Sequence, residues 1–185
     1  TVIGPVTFVV CPDRLVTVHY HHPGSFQHFA DWAARHDTAL VTGIDALLGL
    51  LDSAVDRLAD ILEGEARKLD ALSKAIFAAH RPAGKAETLG AVLQRIGRAE
   101  DLNAKVQESL STVTRVVGYL SVQTPAADAI CLTDADRPAA QTLLQDLKSL
   151  GEVAATQSAK VRFLLDATLG VINIRQSDVI KIFSV

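Results

Sequence analysis

Asp52, Asp56 and Asp60 recur at four-residue spacing and are followed by Glu63. On a helix that spacing stacks carboxylates along one face, and oxygen ligands of this kind suit hard cations such as Mg2+ or Ca2+. The plainer reading of the same run is a solvated helix face. Asp166 is the one acid between Val161 and Asn173, an otherwise largely apolar stretch. Repeated around an axis, such a carboxylate would concentrate hydrated divalent cations by focusing the field. Alternatively it is an exposed residue, or one paired with Arg162 four positions before it. His19, His21 and His22 raise zinc, because alternate residues of a strand share a face and imidazole is a zinc ligand. Two same-face histidines fall short of the four ligands a closed zinc site needs, and Cys11 lies on another strand. No glycine-rich phosphate loop and no serine, histidine and acid set can be argued from spacing, so enzymatic activity is not expected.

The totals narrow the class further. The 185 residues are 49% hydrophobic and 21% charged, which is ordinary for a folded chain and argues against disorder. A net charge of −3 without any Lys/Arg-rich block speaks against nucleic acid as a partner. Cys11 and Cys131 have neither metal-ligand nor redox spacing, so two buried thiols in a reducing compartment are the default. No signal peptide and no run of about 18 apolar residues is present, so the chain is expected to be water-soluble.

These residues must be held by two kinds of element. Pro5 to Cys11 and Leu15 to Tyr20 are β-branched runs on either side of Pro12-Asp13-Arg14, which predicts a β-hairpin. Two strands alone are marginal, so the hairpin is expected to belong to a larger sheet. Ser25 can cap a short helix reaching Arg35, with Phe26, Phe29, Ala30 and Ala33 on one face. From about Thr42 the period is helical as far as His80, carried by Ile44, Leu47, Leu48, Leu51, Val55, Leu58, Leu62, Leu69, Leu72 and Ile76, with a gap from Gly64 to Ala66.

Arg81-Pro82-Ala83-Gly84 breaks that helix. A second helix follows over 87–122, carrying Leu89, Val92, Ile96, Leu102, Val106, Leu110, Val113, Val117 and Leu120, in an antiparallel hairpin with the first. After Thr124-Pro125, Thr133 or Asp136 caps a third helix that nothing ends before Val185. Gly151 and Gly170 weaken it by about 1 kcal/mol each, which does not end it.

At 1.5 Å per residue the first and third helices are roughly 58 Å and 75 Å long. A compact globule of this size has a radius of gyration of about 16 Å, so these rods project and their apolar stripes need partners. Leu143, Leu147, Leu150, Val161, Leu165, Leu169 and Ile172 of the third helix are expected to pack, coiled-coil fashion, around copies of the same chain in a symmetric oligomer. The absence of methionine and the apolar ending Ile182-Phe183-Ser184-Val185 lead to the expectation that the chain is a piece of a longer protein. The fold class is α+β: a partial α/β domain over 1–41, a long helical hairpin over 42–132 and a stalk helix over 133–185.

The stretch Leu164-Leu-Asp-Ala-Thr-Leu-Gly-Val-Ile-Asn-Ile-Arg-Gln-Ser-Asp-Val-Ile-Lys-Ile-Phe-Ser-Val185 resembles the juxtamembrane end of the stalk helix in the CorA family of divalent-cation transporters, which includes ZntB-type zinc transporters. Pro5-Val-Thr-Phe-Val, Arg14-Leu-Val-Thr-Val with Tyr20, Pro23 and Phe26, and Ala54-Val-Asp-Arg-Leu-Ala-Asp-Ile-Leu-Glu63 are similar to that family in the same order. The resemblance implies a cytoplasmic α/β domain, a helical hairpin and a stalk running into a first transmembrane helix, with five copies around an axial ion path. It implies transport of Mg2+, Co2+ or Zn2+ with no organic cofactor, at the cytoplasmic face of a bacterial inner membrane entered by C-terminal helices that this chain lacks. Ser177, Ile180 and Phe183 then match inner-pore positions where bulky apolar rings gate by dewetting; otherwise they are coiled-coil seam residues. Carboxylates between subunits sense intracellular metal in that family. The resemblance implies such a role for Asp52, Asp56 and Asp60, and places an expected sensing carboxylate near Thr142 to Asp146. The family's Gly-Met-Asn signature is absent. The competing reading is a helical oligomerisation scaffold that transports nothing.

Overall fold

The computed structural model describes residues 4–36, 42–78, 89–123 and 131–183, with backbone alone at 78 and over 175–183. In chain order these are β1 (Val6–Cys11), β2 (Arg14–His19), α1 (Gly24–Ala33), α2 (Gly43–Ala78), α3 (Leu89–Val122) and α4 (Arg137–Phe183). The α+β class holds. The breakers at 81–84 and 124–125 lie outside the described residues. The chain divides into two compact units, Thr1–Asp60 with Glu108–Gly151, and Ile61–Gln107 with Glu152–Val185, and the three long helices contribute to both.

In the first unit β1 and β2 pair antiparallel, with Val6 opposite His19 and Cys11 opposite Arg14. Phe8, Val10, Leu15, Thr17 and His19 form the half-buried face, as the two-residue period of a strand requires. Phe8 and His19 meet Phe26 of α1, with ring centroids 6.2 and 5.4 Å apart. The other face leaves Val9, Val16 and Val18 close to half exposed. Tyr20, read as part of the second strand, lies just past its end.

Ser25 does not cap α1. Pro23 stands at the cap without a side-chain hydrogen bond, and Ser25 lies inside the helix, where its carbonyl accepts from Ser53 Oγ at 3.2 Å. The helix stops at Ala33 rather than Arg35, and Ala30 is exposed while Phe26, Phe29 and Ala33 turn inward.

Helix α2 starts on a reciprocal cap. Thr42 N–H donates to Asp45 Oδ2 at 2.8 Å and Asp45 N–H donates to Thr42 Oγ1 at 3.0 Å, satisfying two donors that a helix start leaves orphaned. Gly43 N–H also donates to Pro12 O at 3.2 Å, and a side chain at Gly43 would run into the carbonyls of Cys11 and Arg14. Glycine is required there because the hairpin turn lies against the helix start.

Asp136 organises the start of α4 by reaching backwards: its Oδ2 accepts from Thr133 N–H at 2.8 Å and from Thr133 Oγ1 at 2.7 Å. Both residues named as candidate caps therefore take part. Along α2 the buried apolar residues are Ile44, Leu47, Leu48, Leu50, Leu51, Val55, Leu62, Leu69, Leu72 and Ile76, and Glu65 fills the gap in the apolar pattern. In the second unit the core gathers Leu69, Leu72 and Ile76 of α2, Val92, Ile96 and Ala99 of α3, and Val161, Leu164 and Val171 of α4. Of the α4 stripe read off the sequence, Leu143, Leu147 and Val161 are buried, and its later part is not. Leu164, Thr168 and Val171 are buried, whereas Leu165 and Leu169 are 38% and 46% exposed.

Candidate functional site

In the first unit α1 lies on α2 with Phe29 over Gly49, where a Cβ would approach the ring to 2.7 Å. That close approach leaves beside it an open cleft of roughly 220 Å³, walled by His28, Phe29 and Trp32 of α1 and by Asp52, Ser53 and Asp56 of α2. Asp52 keeps much of its surface open to water. Even so, burial first, then the charges of Asp56 and Asp146, hold its carboxyl above the ordinary value near 3.8. Asp146 belongs to α4, so the acidic ladder of α2 gains a member from a distant part of the sequence. Burial disfavours the charged form of Asp52 first, and the two neighbouring carboxylates disfavour it further.

The ladder does not act as one row. Asp60 turns to Arg57 at 3.6 Å on the surface, and in the second unit Glu63 pairs with Arg67 at 3.6 Å. Both pairs are exposed, which makes each worth little. Among the described residues no three His, Cys, Asp or Glu side chains converge to hold a metal ion. The histidines confirm that on the hairpin. His19 Nδ1 is hydrogen-bonded to the main-chain carbonyl of His21, and the strand register puts Cys11 at the opposite end of the ladder, beside Arg14.

Asp166 is exposed on α4, and among the described residues no ion pair joins it to Arg162. Residues 177, 180 and 183 lie on the unbroken backbone of α4. Their side chains lie outside what is described. Among the described residues no helix is long and apolar enough to cross a membrane.

The family model for the CorA-like Mg2+ transporter protein matches residues 1–185, the whole chain. The chain belongs to the CorA family. The magnesium transport protein CorA of Haemophilus ducreyi is 28% identical over 183 residues, covering 99% of this chain and 55% of its own length. That of Yersinia pseudotuberculosis is 30% identical over 182 residues, covering 97% and 54%, and that of Escherichia coli K12 is 27% identical over 180 residues, again covering 97% and 54%. Among solved structures, the CorA magnesium transporter of Methanocaldococcus jannaschii superposes with a TM-score of 0.74 at 18% identity, over 92% of this chain and 51% of that one. At that identity the likeness establishes the shared fold. The chain spans about half the length of the CorA relatives it matches. The CorA family is a family of ion transporters, so the chain is not an enzyme.

Sequence reasoning named Asp52 and Asp56 and missed the tie to Asp146 as part of one field. No local signal carries it. Asp146 lies about ninety positions away, and only the packing of α4 near α2 brings the charges together.

Proposed function

We propose that this chain is the cytoplasmic part of a magnesium transporter of the CorA family, a homopentamer in which α4 continues from the stalk into the first membrane-crossing helix. The observation that carries the reading is α4 itself: 47 residues without interruption to Phe183, with Leu165, Leu169 and Ile174 left exposed on the part whose other face is buried in the second unit. Apolar positions outside the chain's own core need a partner, and copies of the same helix around an axis supply one. In this assembly Asp166, Ser177, Ile180 and Phe183 face or approach the ion path. Positions 166, 177 and 180 are separated by eleven and three residues and so fall on one stripe of a continuous helix, with 183 a further three residues on.

The chemistry is that of a hydrated cation moving down its gradient. Asp166 draws Mg2+ toward the axis while the ion keeps its water shell, because Mg2+ dehydrates reluctantly. Ile180 and Phe183, each repeated around the axis as a ring of apolar side chains, close the path by excluding water as those rings narrow. Asp52, Asp56 and Asp146 give cytosolic Mg2+ a negative field to accumulate in, with Asp60 at its edge. Mg2+ is the cation; Co2+ and Zn2+ share the charge and enter as competitors. The hairpin and α1, residues 1–41, form the end of an α/β domain, and the open Val9, Val16 and Val18 face fits further covering of that sheet. Residues 42–132 are the helical hairpin and 133–185 the stalk, at the cytoplasmic face of a bacterial inner membrane.

Reconstitution tests this. The full-length protein in vesicles loaded with a Mg2+-sensitive dye is expected to admit Mg2+ down an imposed gradient and to run as a pentamer in detergent. A folded, membrane-inserted protein that leaves the vesicles tight to Mg2+ would sink the reading.

A further inference from the structure

In the second unit α2 and α3 border an open groove of roughly 270 Å³. Its floor is apolar, made by Leu69 and Leu72 of α2 and Ala99 of α3, each 3% exposed or less. Ala99 is the smallest of the buried residues in a core cluster otherwise built from leucine, isoleucine and valine, and its short side chain leaves room in that floor. Leu102, half-buried, completes the apolar lining. The rest of the wall is basic. Lys68 lines it from α2, and Arg95 and Arg98 line it from α3, three residues apart and so on one side of their helix. Glu65 is the one acid in the wall; it is 7% exposed and pairs with Lys68 at 3.1 Å.

Acids nearby on the same helices are engaged elsewhere. Glu63 pairs with Arg67 at 3.6 Å, Asp101 with Lys105 at 2.7 Å, and Asp70 with Lys160 of α4. Among the described residues Arg98 is in no ion pair. The groove thus sets three cations against one carboxylate, on a chain whose net charge is −3. A positive groove on a negative chain selects an anion. Its volume of roughly 270 Å³ falls just under the range of ordinary small-molecule pockets, so the occupant is a small anion and not a peptide segment. Two arginines on one wall and a lysine on the other suit linked phosphates. Each guanidinium forks onto two oxygens, and the ammonium adds a compact charge from the opposite side.

We propose that the groove between α2 and α3 binds a polyphosphate anion, with the phosphates held by Lys68, Arg95 and Arg98 and the apolar floor open to an organic group joined to them. A nucleoside triphosphate and free tripolyphosphate share this chemistry. The bound anion bridges α2 and α3 and so stabilises the second unit. Nothing in the site depends on whether the full-length protein transports Mg2+.

Titration calorimetry of the chain with ATP and with tripolyphosphate tests the site, both free of Mg2+ so that no metal cancels the phosphate charge. Saturable one-to-one binding is expected, with sulfate at least about tenfold weaker because one small ion engages fewer of the three cations. ATP binding tighter than tripolyphosphate assigns a nucleotide, and equal affinity assigns the phosphate chain alone; both bear the site out. Arg95→Gln with Arg98→Gln should weaken binding at least about tenfold, as the loss of two charge-assisted contacts requires. Arg115→Gln with Lys148→Gln removes the same charge from exposed positions outside the groove, and should leave the affinity within about twofold. Saturating ATP should also raise the melting temperature of the parent by at least about 3 °C and leave that of the Arg95 and Arg98 variant unmoved. The proposal is overturned if the parent shows no saturable binding below about 1 mM, if sulfate binds as tightly as ATP, or if both double variants lose affinity equally.

Discussion

Leu164→Ala tests which face of α4 carries the fold. Leu164 is fully buried, in a cluster with Leu69, Leu72 and Ile76 from α2 and Val92, Ile96 and Ala99 from α3. Truncation removes three carbons from a site lined by two other helices, which leaves little freedom to collapse, so a cost near the middle of the Leu→Ala range, about 3 kcal/mol, is expected. For a chain of this length that is a fall in melting temperature of roughly 6 to 12 °C. The neighbouring residue is the control. Phe163 is 57% exposed and touches Phe77, itself 54% exposed, with ring centroids 6.2 Å apart, so Phe163→Ala should cost about 1 kcal/mol or less. Urea unfolding of both variants, read by circular dichroism, separates them. If Leu164→Ala costs less than Phe163→Ala, α4 is rotated from the orientation described, and the assignment of Leu165 and Leu169 to an outer face fails with it.

Gly43→Ala should destabilise the first unit by about 1 to 3 kcal/mol despite the better helix propensity of alanine, because the added methyl meets main-chain carbonyls of Cys11 and Arg14 that cannot rotate away; faster amide exchange across β1 and β2 is the readout. Asp52 has its carboxyl raised by burial and by Asp56 and Asp146, so the folded state favours its protonated form and this group's contribution to stability falls as pH rises from 3.8 through the raised folded value. Asp52→Asn should therefore leave stability at pH 7 equal or higher and flatten the acid side of the profile of melting temperature against pH. The parent should also gain more than this variant from millimolar Mg2+, and an equal gain would remove Asp52 from the cation field. Asp70 has its carboxyl lowered by the hydrogen bond and charge of Lys160. Its contribution is thus present above 3.8 and lost as pH falls through the depressed value. Carboxyl titration by NMR should return Asp70 to its ordinary range in Lys160→Met.

The hairpin, the order of the elements and the three long helices were legible because period-two and period-3.6 patterns are local properties of the sequence. The inward face of those helices was less so where polar residues occupy core positions. Leu102 was read into the stripe of α3, yet the buried series runs Ala99, Asn103, Val106 and Leu110, keeping the three-and-four spacing through an asparagine that a hydrophobicity pattern skips. Glu65 hides in the same way in the gap on α2. On α4 two stripes coexist, one buried in the chain and one exposed, and periodicity alone could not tell them apart. Ser25 looked like a cap because its type favours caps, but the preceding proline had already fixed the entry to α1. Of the candidate site, the α2 acids were visible and their link to Asp146 was not, since that link depends on how distant segments pack.

The most direct test of the account is magnesium uptake in cells. The full-length protein, produced in a bacterium stripped of its own Mg2+ transporters, is expected to restore growth at micromolar external Mg2+ and to raise cytosolic Mg2+ measured with a fluorescent indicator. Protein that reaches the membrane, folds and assembles, but restores neither growth nor Mg2+ entry, would contradict the account.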